Sequence, residues 1–219
     1  ERVRKLLQGS ANLEFWETYN SNEIVPSLQA VDNKLRDVLA LAAGEEAAPA
    51  EEVKAEAVSA TDSLAAALKG DAANNEAMMA QLKKEHPLAS ILQLGGYGSV
   101  VGIANYKDTA EVNKLLAVKE AQNLLPRDLR LKWGVKSMDK AGQLFELFAI
   151  KVTERNGKAP LEGDVITDAK NDFDQYNNPT VSMSMNTDGS RRWATLTKNN
   201  IGRAIAIVLD GYVYSAPNV

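Results

Sequence analysis

The sequence predicts an α+β fold. Two stretches, 100–153 and 180–216, each read as strand, helix, strand, strand from their hydrophobic periodicity. Between them and the N-terminus the composition turns alanine-rich and helical: sixteen of the forty-one residues from Ala40 to Ala80 are alanine. Asp210-Gly211, set between Ile205–Leu209 and Tyr212–Ser215, is a strong local hairpin signal, because both turn residues tolerate positive φ.

The elements follow in order. Glu1 to Gln8 is expected to form a short helix, with Val3, Leu6 and Leu7 at helical spacing and Gly9 as its terminator. From Ala11 to Glu17 the pattern alternates. Ala11, Leu13 and Phe15 face one way and Asn12, Glu14 and Trp16 the other, as in a half-buried strand. Helices are expected at about 24–43, 51–69 and 74–84, broken by Gly44, Pro49, Gly70 and Pro87. Large apolar residues are sparse there. That fits a loosely packed helical insertion over 20–99, with a dedicated partner-binding arm as the alternative.

A short apolar helix is expected over Leu88–Leu92. Gly95, Gly96 and Gly98 follow. They lack the Lys-Ser/Thr of a phosphate-binding loop and lead into a strand, Val100–Ala104, so they read as a connector. Asp108 and Glu111 predict a capping box for a helix carrying Val112, Leu115, Leu116, Ala121, Leu124 and Leu125 and ending before Pro126. Strands are expected at Leu129–Val135 and Leu144–Val152, with 136–142 as the turn. Trp133, Phe145 and Phe148 are expected in the core.

Asn156–Pro160 is turn-rich and marks the expected boundary between a 100–158 region and a 159–219 region. Asp168–Tyr176 reads as a short helix or strand. Val181, Met183 and Met185 alternate with Ser182 and Ser184, a period of two. Thr187-Asp188-Gly189 is expected to cap a helix with a stripe of Trp193, Leu196, Thr197 and Ile201, ended by Gly202.

Composition narrows the function. The net charge of −4 argues against nucleic acid and against a polybasic membrane anchor. The absence of cysteine removes disulfides, thiolate catalysis and sulfur-ligated metals. The single histidine, His86, sits at an expected helix end before Pro87 and reads as solvated. No run approaches the roughly 20 apolar residues of a membrane helix. The chain opens inside an expected helix and stops just after a strand, so both ends read as those of a piece of a longer protein.

One acidic group stands out: Asp164, Asp168, Asp172 and Asp174. Hard-cation binding or paired-carboxylate chemistry would want such a grouping. Acids near a helix N-terminus, favoured by the dipole, are the plainer account of Asp164 and Asp168. Arg191-Arg192 reads as a solvated helix face, with an anion clamp as the alternative. No motif calls for a catalytic residue, a metal or a cofactor.

Several ordered strings remain: Leu6-Leu7-Gln8-Gly9 before Leu13-Glu14-Phe15; Leu161 to Ala169, containing Gly163, Asp164, Thr167 and Asp168; Pro179-Thr180-Val181-Ser182; Asn200-Ile201-Gly202; and Ala206 to Pro217, containing Asp210 and Gly211. Together they resemble the large exported domain of the SecD family, found as SecD or as a SecDF fusion. The resemblance covers about ten residues near the start and about the final sixty. The Ala-rich middle departs from the usual pattern.

The resemblance implies a ferredoxin-like base and a mobile head. Residues 1–19 would begin the base, 100–158 would belong to the base or a connection, and 159–219 would be an incomplete head. It implies a non-enzymatic domain on the periplasmic side of the bacterial cytoplasmic membrane, carried by a membrane-embedded subunit. That subunit binds emerging preproteins, works with the Sec channel and a SecF-type subunit, and supports export driven by the proton gradient. Under that implication Met183, Met185, Ile205, Ile207, Tyr212 and Tyr214 are the candidate preprotein contacts. Two rival readings differ in class: a carboxylate or metal-dependent hydrolase using the 164–174 acids, and an envelope scaffold binding folded partners through the Ala-rich arm.

Overall fold

The computed structural model describes residues 12–42, 72–173, 175–177 and 179–219. The helices expected over Glu1–Gln8 and 51–69 lie outside these residues. In chain order the elements are β1 (Leu13–Thr18), α1 (Ser21–Ala42), α2 (Ala72–Glu85), β2 (Leu92–Leu94), β3 (Val100–Asn105), α3 (Thr109–Leu116), α4 (Lys119–Gln122), β4 (Leu129–Ser137), β5 (Leu144–Lys151), β6 (Leu161–Glu162), a 3-10 turn (Gly163–Val165), β7 (Ile166–Phe173), β8 (Pro179–Met185), α5 (Thr187–Asn199), β9 (Ile205–Leu209) and β10 (Tyr212–Ser215). They form two compact units. The first takes Glu1–Val25, Gly95–Ile103 and Arg127–Val219; the second takes Pro26–Leu94 and Ala104–Pro126.

The first unit is built on a mixed sheet in which β3, β5, β4, β10, β9, β1 and β6 lie side by side. β1 runs antiparallel to β9 through five paired positions, Leu13↔Leu209 to Glu17↔Ile205. It also reaches β5, through Glu17↔Lys151 and Thr18↔Ile150. The run β5-β4-β10-β9-β1 therefore closes on itself. Strands on both sides of the Asn156–Pro160 turn are paired in this sheet.

Both faces of the sheet carry apolar side chains. Trp16, Phe148, Ile150, Ala206, Val208 and Val213 cluster on one side. Phe15, Leu161, Val165, Leu196 and Ile205 cluster on the other, with Trp193 packed against them. Successive strand residues point to opposite faces, so β1 sends Phe15 into one cluster and Trp16 into the other. β1 is thus buried on both faces, a correction to the half-buried strand expected from its alternation. Glu14 makes this tolerable by accepting the Trp16 indole N–H at 2.8 Å. Thr18 is buried too, and its hydroxyl donates to the Ala204 carbonyl at 2.7 Å.

Three further expectations are corrected in this unit. Asn186, one residue earlier than expected, is the N-cap of α5, and its side chain accepts the Gly189 N–H. α5 ends at Asn199, so Ile201 lies beyond the helix and is exposed. Although 180–216 keeps its strand-helix-strand-strand order, β8 pairs with β7 in a separate two-stranded sheet and not with β9 or β10.

The second unit holds most of α1, where Leu28, Val31 and Leu35 are buried at helical spacing. Asp32, on the same helix and also buried, accepts the backbone N–H groups of Leu88 and Ala89 at 2.8 and 3.0 Å. Its other oxygen meets His86 Nδ1 at 2.8 Å. Residues 87–91 are turns leading into β2, in place of the expected helix. The capping box expected at Asp108 does not form: Asp108 is itself helical in φ and ψ and makes no side-chain cap. The helix behind it breaks at Val118, which is extended, leaving the shorter α3 and α4. Among the described residues no helix is long and apolar enough to cross a membrane.

Candidate functional site

The 3-10 turn anchors the site. Gly163 packs so closely on β1 that a Cβ there would lie 3.1 Å from the Leu13 Cβ. Val165, at the end of the turn, is buried. Its carbonyl accepts the Asn186 N–H at 2.9 Å, which ties the turn to the start of α5. Gly189 completes the junction, since a Cβ there would meet Val165 side-chain carbons at 2.7 Å. α5 is thereby seated on the sheet, with Leu196 inward and Trp193 against Phe15.

From this anchor β7 and β8 leave the sheet as an antiparallel pair. The register is Asp168↔Ser184, Ala169↔Met183, Lys170↔Ser182, Asn171↔Val181 and Asp172↔Thr180. Paired residues share a face. Asp168, Lys170, Asp172, Thr180, Ser182 and Ser184 therefore line one face. The other carries Ala169, Asn171, Val181 and Met183. Near the root, Ile166 and Met185 pack against the Phe15 cluster. Further out the apolar face is uncovered: Met183 is 37% exposed and Val181 62%, and Phe173 at the end of β7 is 64% exposed.

The expected contact residues divide accordingly. Met183, Tyr212 and Tyr214 are exposed. Met185 and Ile207 are partly buried against the Phe15 cluster. Ile205, at 1% exposure, lies inside that cluster and offers no surface to a partner, a correction to its place among the contacts. Tyr214 lines a groove of about 410 Å³ with Tyr97, Lys136, Glu146, Phe148 and Val213. The Tyr97 hydroxyl donates to Glu146 across this groove at 2.8 Å, and that bond raises the Tyr97 pKa. Phe173 and Val181 escaped the sequence reading as contacts. Their exposure follows from how β7 and β8 leave the sheet, which no local pattern encodes; the alternation at 181–185 was the available signal.

The motif residues sit at turns and caps. Thr167 lies at the β7 irregularity and its hydroxyl donates to the Ser184 carbonyl at 3.2 Å. Asn200, 2% exposed, closes α5 by donating its side-chain amide to the Leu196 carbonyl. Gly202 follows with φ of 77°. Asp210 and Gly211, at φ of 49° and 89°, turn β9 into β10. Asp210 also accepts the Asn12 N–H on its side chain at 2.9 Å. Pro217 accepts the Ile205 N–H on its carbonyl at 3.0 Å.

The acids do not converge. Asp164 is in the first turn of the 3-10 helix, whereas Asp168 and Asp172 are on β7, an extended strand, so the helix-terminus account does not hold for Asp168. Asp174 lies outside the described residues. Asp172 is held below the usual carboxylate range by the Phe173 N–H and then by the Ser182 hydroxyl. Among the described residues no group of three or more His, Cys, Asp or Glu is placed to hold a metal ion. Arg192 is paired with Asp188 at 2.8 Å on the exposed face of α5.

A family model for the SecDF P1 head subdomain matches residues 148–219, which hold the 3-10 turn, both hairpins and α5. The protein translocase subunit SecD of Rhodothermus marinus is 37% identical over 222 aligned residues, covering 100% of this chain and 33% of that protein. The chain belongs to the SecD/SecDF family. Protein translocase subunit SecDF of Thermus thermophilus is 43% identical over 61 residues, 28% of this chain and 8% of that protein. A solved structure of SecDF, described as a membrane component that enhances protein export, aligns over 94% of this chain and 80% of its own, at 21% identity and a TM-score of 0.27. The chain thus spans about a third of its Rhodothermus SecD relative. The SecD relatives are named as protein translocase subunits, a transport family and not a hydrolase family.

Proposed function

We propose that this chain is the exported domain of a SecD-type subunit and that it contacts unfolded preproteins on the outer side of the cytoplasmic membrane. The observation that carries the reading is the projecting β7–β8 pair, whose apolar face with Val181 and Met183 is uncovered in a chain of SecD/SecDF kinship. An unfolded polypeptide presents backbone groups and scattered apolar side chains. A surface for it needs adaptable apolar residues, and methionine is among the softest. Tyr212 and Tyr214 add an exposed aromatic pair on β10.

In this reading the region after Pro160 serves as a head and the remainder of the first unit as part of a base of ferredoxin-like layout. The longer protein is embedded in the membrane beside the Sec channel and a SecF-type subunit. The proton gradient drives its motion through residues outside this chain, so the domain binds and releases without catalysing a reaction.

The test is conditional depletion of the full-length protein, followed by an assay for uncleaved secretory precursors. Precursors should accumulate, and a full-length copy should clear them while a copy lacking 159–219 should not. Normal precursor processing in depleted cells would end the proposal.

A further inference from the structure

Resting on the reading above, we infer that preprotein is taken up as an added strand along the outer edge of β8. β7 and β8 form a sheet of their own, so among the described residues each has one edge whose backbone N–H and C=O groups lack a strand partner. Natural sheets guard such edges with charge or proline. The two edges here differ. β7 carries Asp168, Lys170 and Asp172 along its length. β8 carries no charged residue: after Pro179 at its start, it runs Thr180, Val181, Ser182, Met183, Ser184, Met185. The unguarded edge therefore adjoins the uncovered apolar side chains of Val181 and Met183.

The backbone itself selects the occupant. A row of alternating donors and acceptors at strand spacing is complemented by an extended polypeptide, and main-chain bonds make such binding tolerant of sequence. Alternate side chains of the added strand would fall beside Val181 and Met183. The others would fall beside the hydroxyls of Thr180, Ser182 and Ser184. Ser182 is already oriented, since its hydroxyl donates to Asp172 at 3.0 Å. That bond ties β8 to β7 on the polar face and leaves the outer edge open.

The test uses the whole chain and two short fluorescein-labelled peptides of alternating Thr and Val. One is unmodified; the other is N-methylated at every residue, so that neither edge can donate. Binding is read by anisotropy, and the footprint by amide hydrogen exchange. Reduced, carboxymethylated lactalbumin serves as a general unfolded probe. Strand addition requires that the unmodified peptide slow exchange at alternate amides of β8 but not along the outer edge of β7. The methylated peptide should bind about tenfold or more weakly, because several main-chain bonds are lost together. Equal binding of the two peptides would overturn strand addition and leave capture by side chains alone. A footprint elsewhere on the chain would also overturn it, with the preprotein reading intact. Slowed β8 exchange that rises with protein concentration alone would assign the edge to a second copy of the chain. Failure to bind either peptide or the unfolded lactalbumin would bring down the preprotein reading with it.

Discussion

Phe15 and Trp193 meet edge to face, with ring centroids 5.3 Å apart and planes inclined at 68°. One belongs to the first described strand and the other to α5. Phe15 is fully buried and shares its cluster with Leu161, Val165, Leu196 and Ile205. Phe15→Ala would remove the ring and leave a cavity between sheet and helix, at a cost of roughly 3–5 kcal/mol. Urea denaturation should show this as a lower midpoint with an unchanged slope. A loss below about 1 kcal/mol would mean that the cluster collapses around the truncation.

The same contact bears on what folds alone. The matched head region, 148–219, excludes β1, yet β1 lies between β9 and β6 and buries Phe15 and Trp16 on opposite faces. Expressed by itself, 148–219 would expose an unpaired edge on β9 and both apolar clusters. It should show broad, poorly dispersed amide resonances. A peptide spanning Asn12–Tyr19, supplied in trans, should sharpen them. A well-dispersed spectrum without the peptide would show that β1 is dispensable.

Locality decided how much of this was legible. The Asp210-Gly211 hairpin, the 181–185 alternation and the strands of 129–152 depend on neighbours in sequence, and the pattern carries them. The pairing of β1 with β9 joins residues far apart along the chain and leaves no local mark beyond two adjacent aromatics. Local signals also misled where they competed. Asp108 and Glu111 match a capping box that does not form, because Asp108 joins the helix as αR. Asn20 and Glu23 have the same spacing and form the returning half of one: the Glu23 carboxylate accepts the Asn20 N–H at 2.8 Å, while the Glu23 N–H donates to the Asn20 backbone carbonyl at 3.0 Å. That places the start of α1 at Ser21, ahead of the expected 24. At the site, the Met alternation was readable, whereas the exposure of Phe173 and Val181 depends on tertiary placement.

In the second unit, Asp32 should be the most sensitive polar position. It is 4% exposed and accepts the Leu88 and Ala89 N–H groups as well as contacting His86. Asp32→Ala strands two backbone donors, one of them in a buried setting, at a cost of about 1–3 kcal/mol. Asp32→Asn keeps an acceptor oxygen and should cost less. Hydrogen exchange at Leu88 and Ala89 should accelerate strongly in the alanine variant while β1 and β9 amides hold. Unchanged exchange at both amides would show that the bonds are not stabilising.

Glu23 contributes to the acid response of the first unit. Its carboxyl is held below its ordinary value of 4.5, first by the Asn20 N–H and then by Arg203 at 3.1 Å. Because the folded pKa is lowered, the stabilisation is fully present above 4.5 and is lost as pH falls through the folded value. The side chains of Glu23 and Arg203 are 40% and 35% exposed, so salt screens the ion pair and it contributes little. The capping bond is the durable part. Glu23→Gln should therefore flatten the stability profile below 4.5. Arg203→Ala should leave most of the acid slope in place and remove its salt dependence. Thermal melts across that window, at low and high salt, would check both. An acid slope that vanishes in Arg203→Ala but survives in Glu23→Gln would reverse this order of causes.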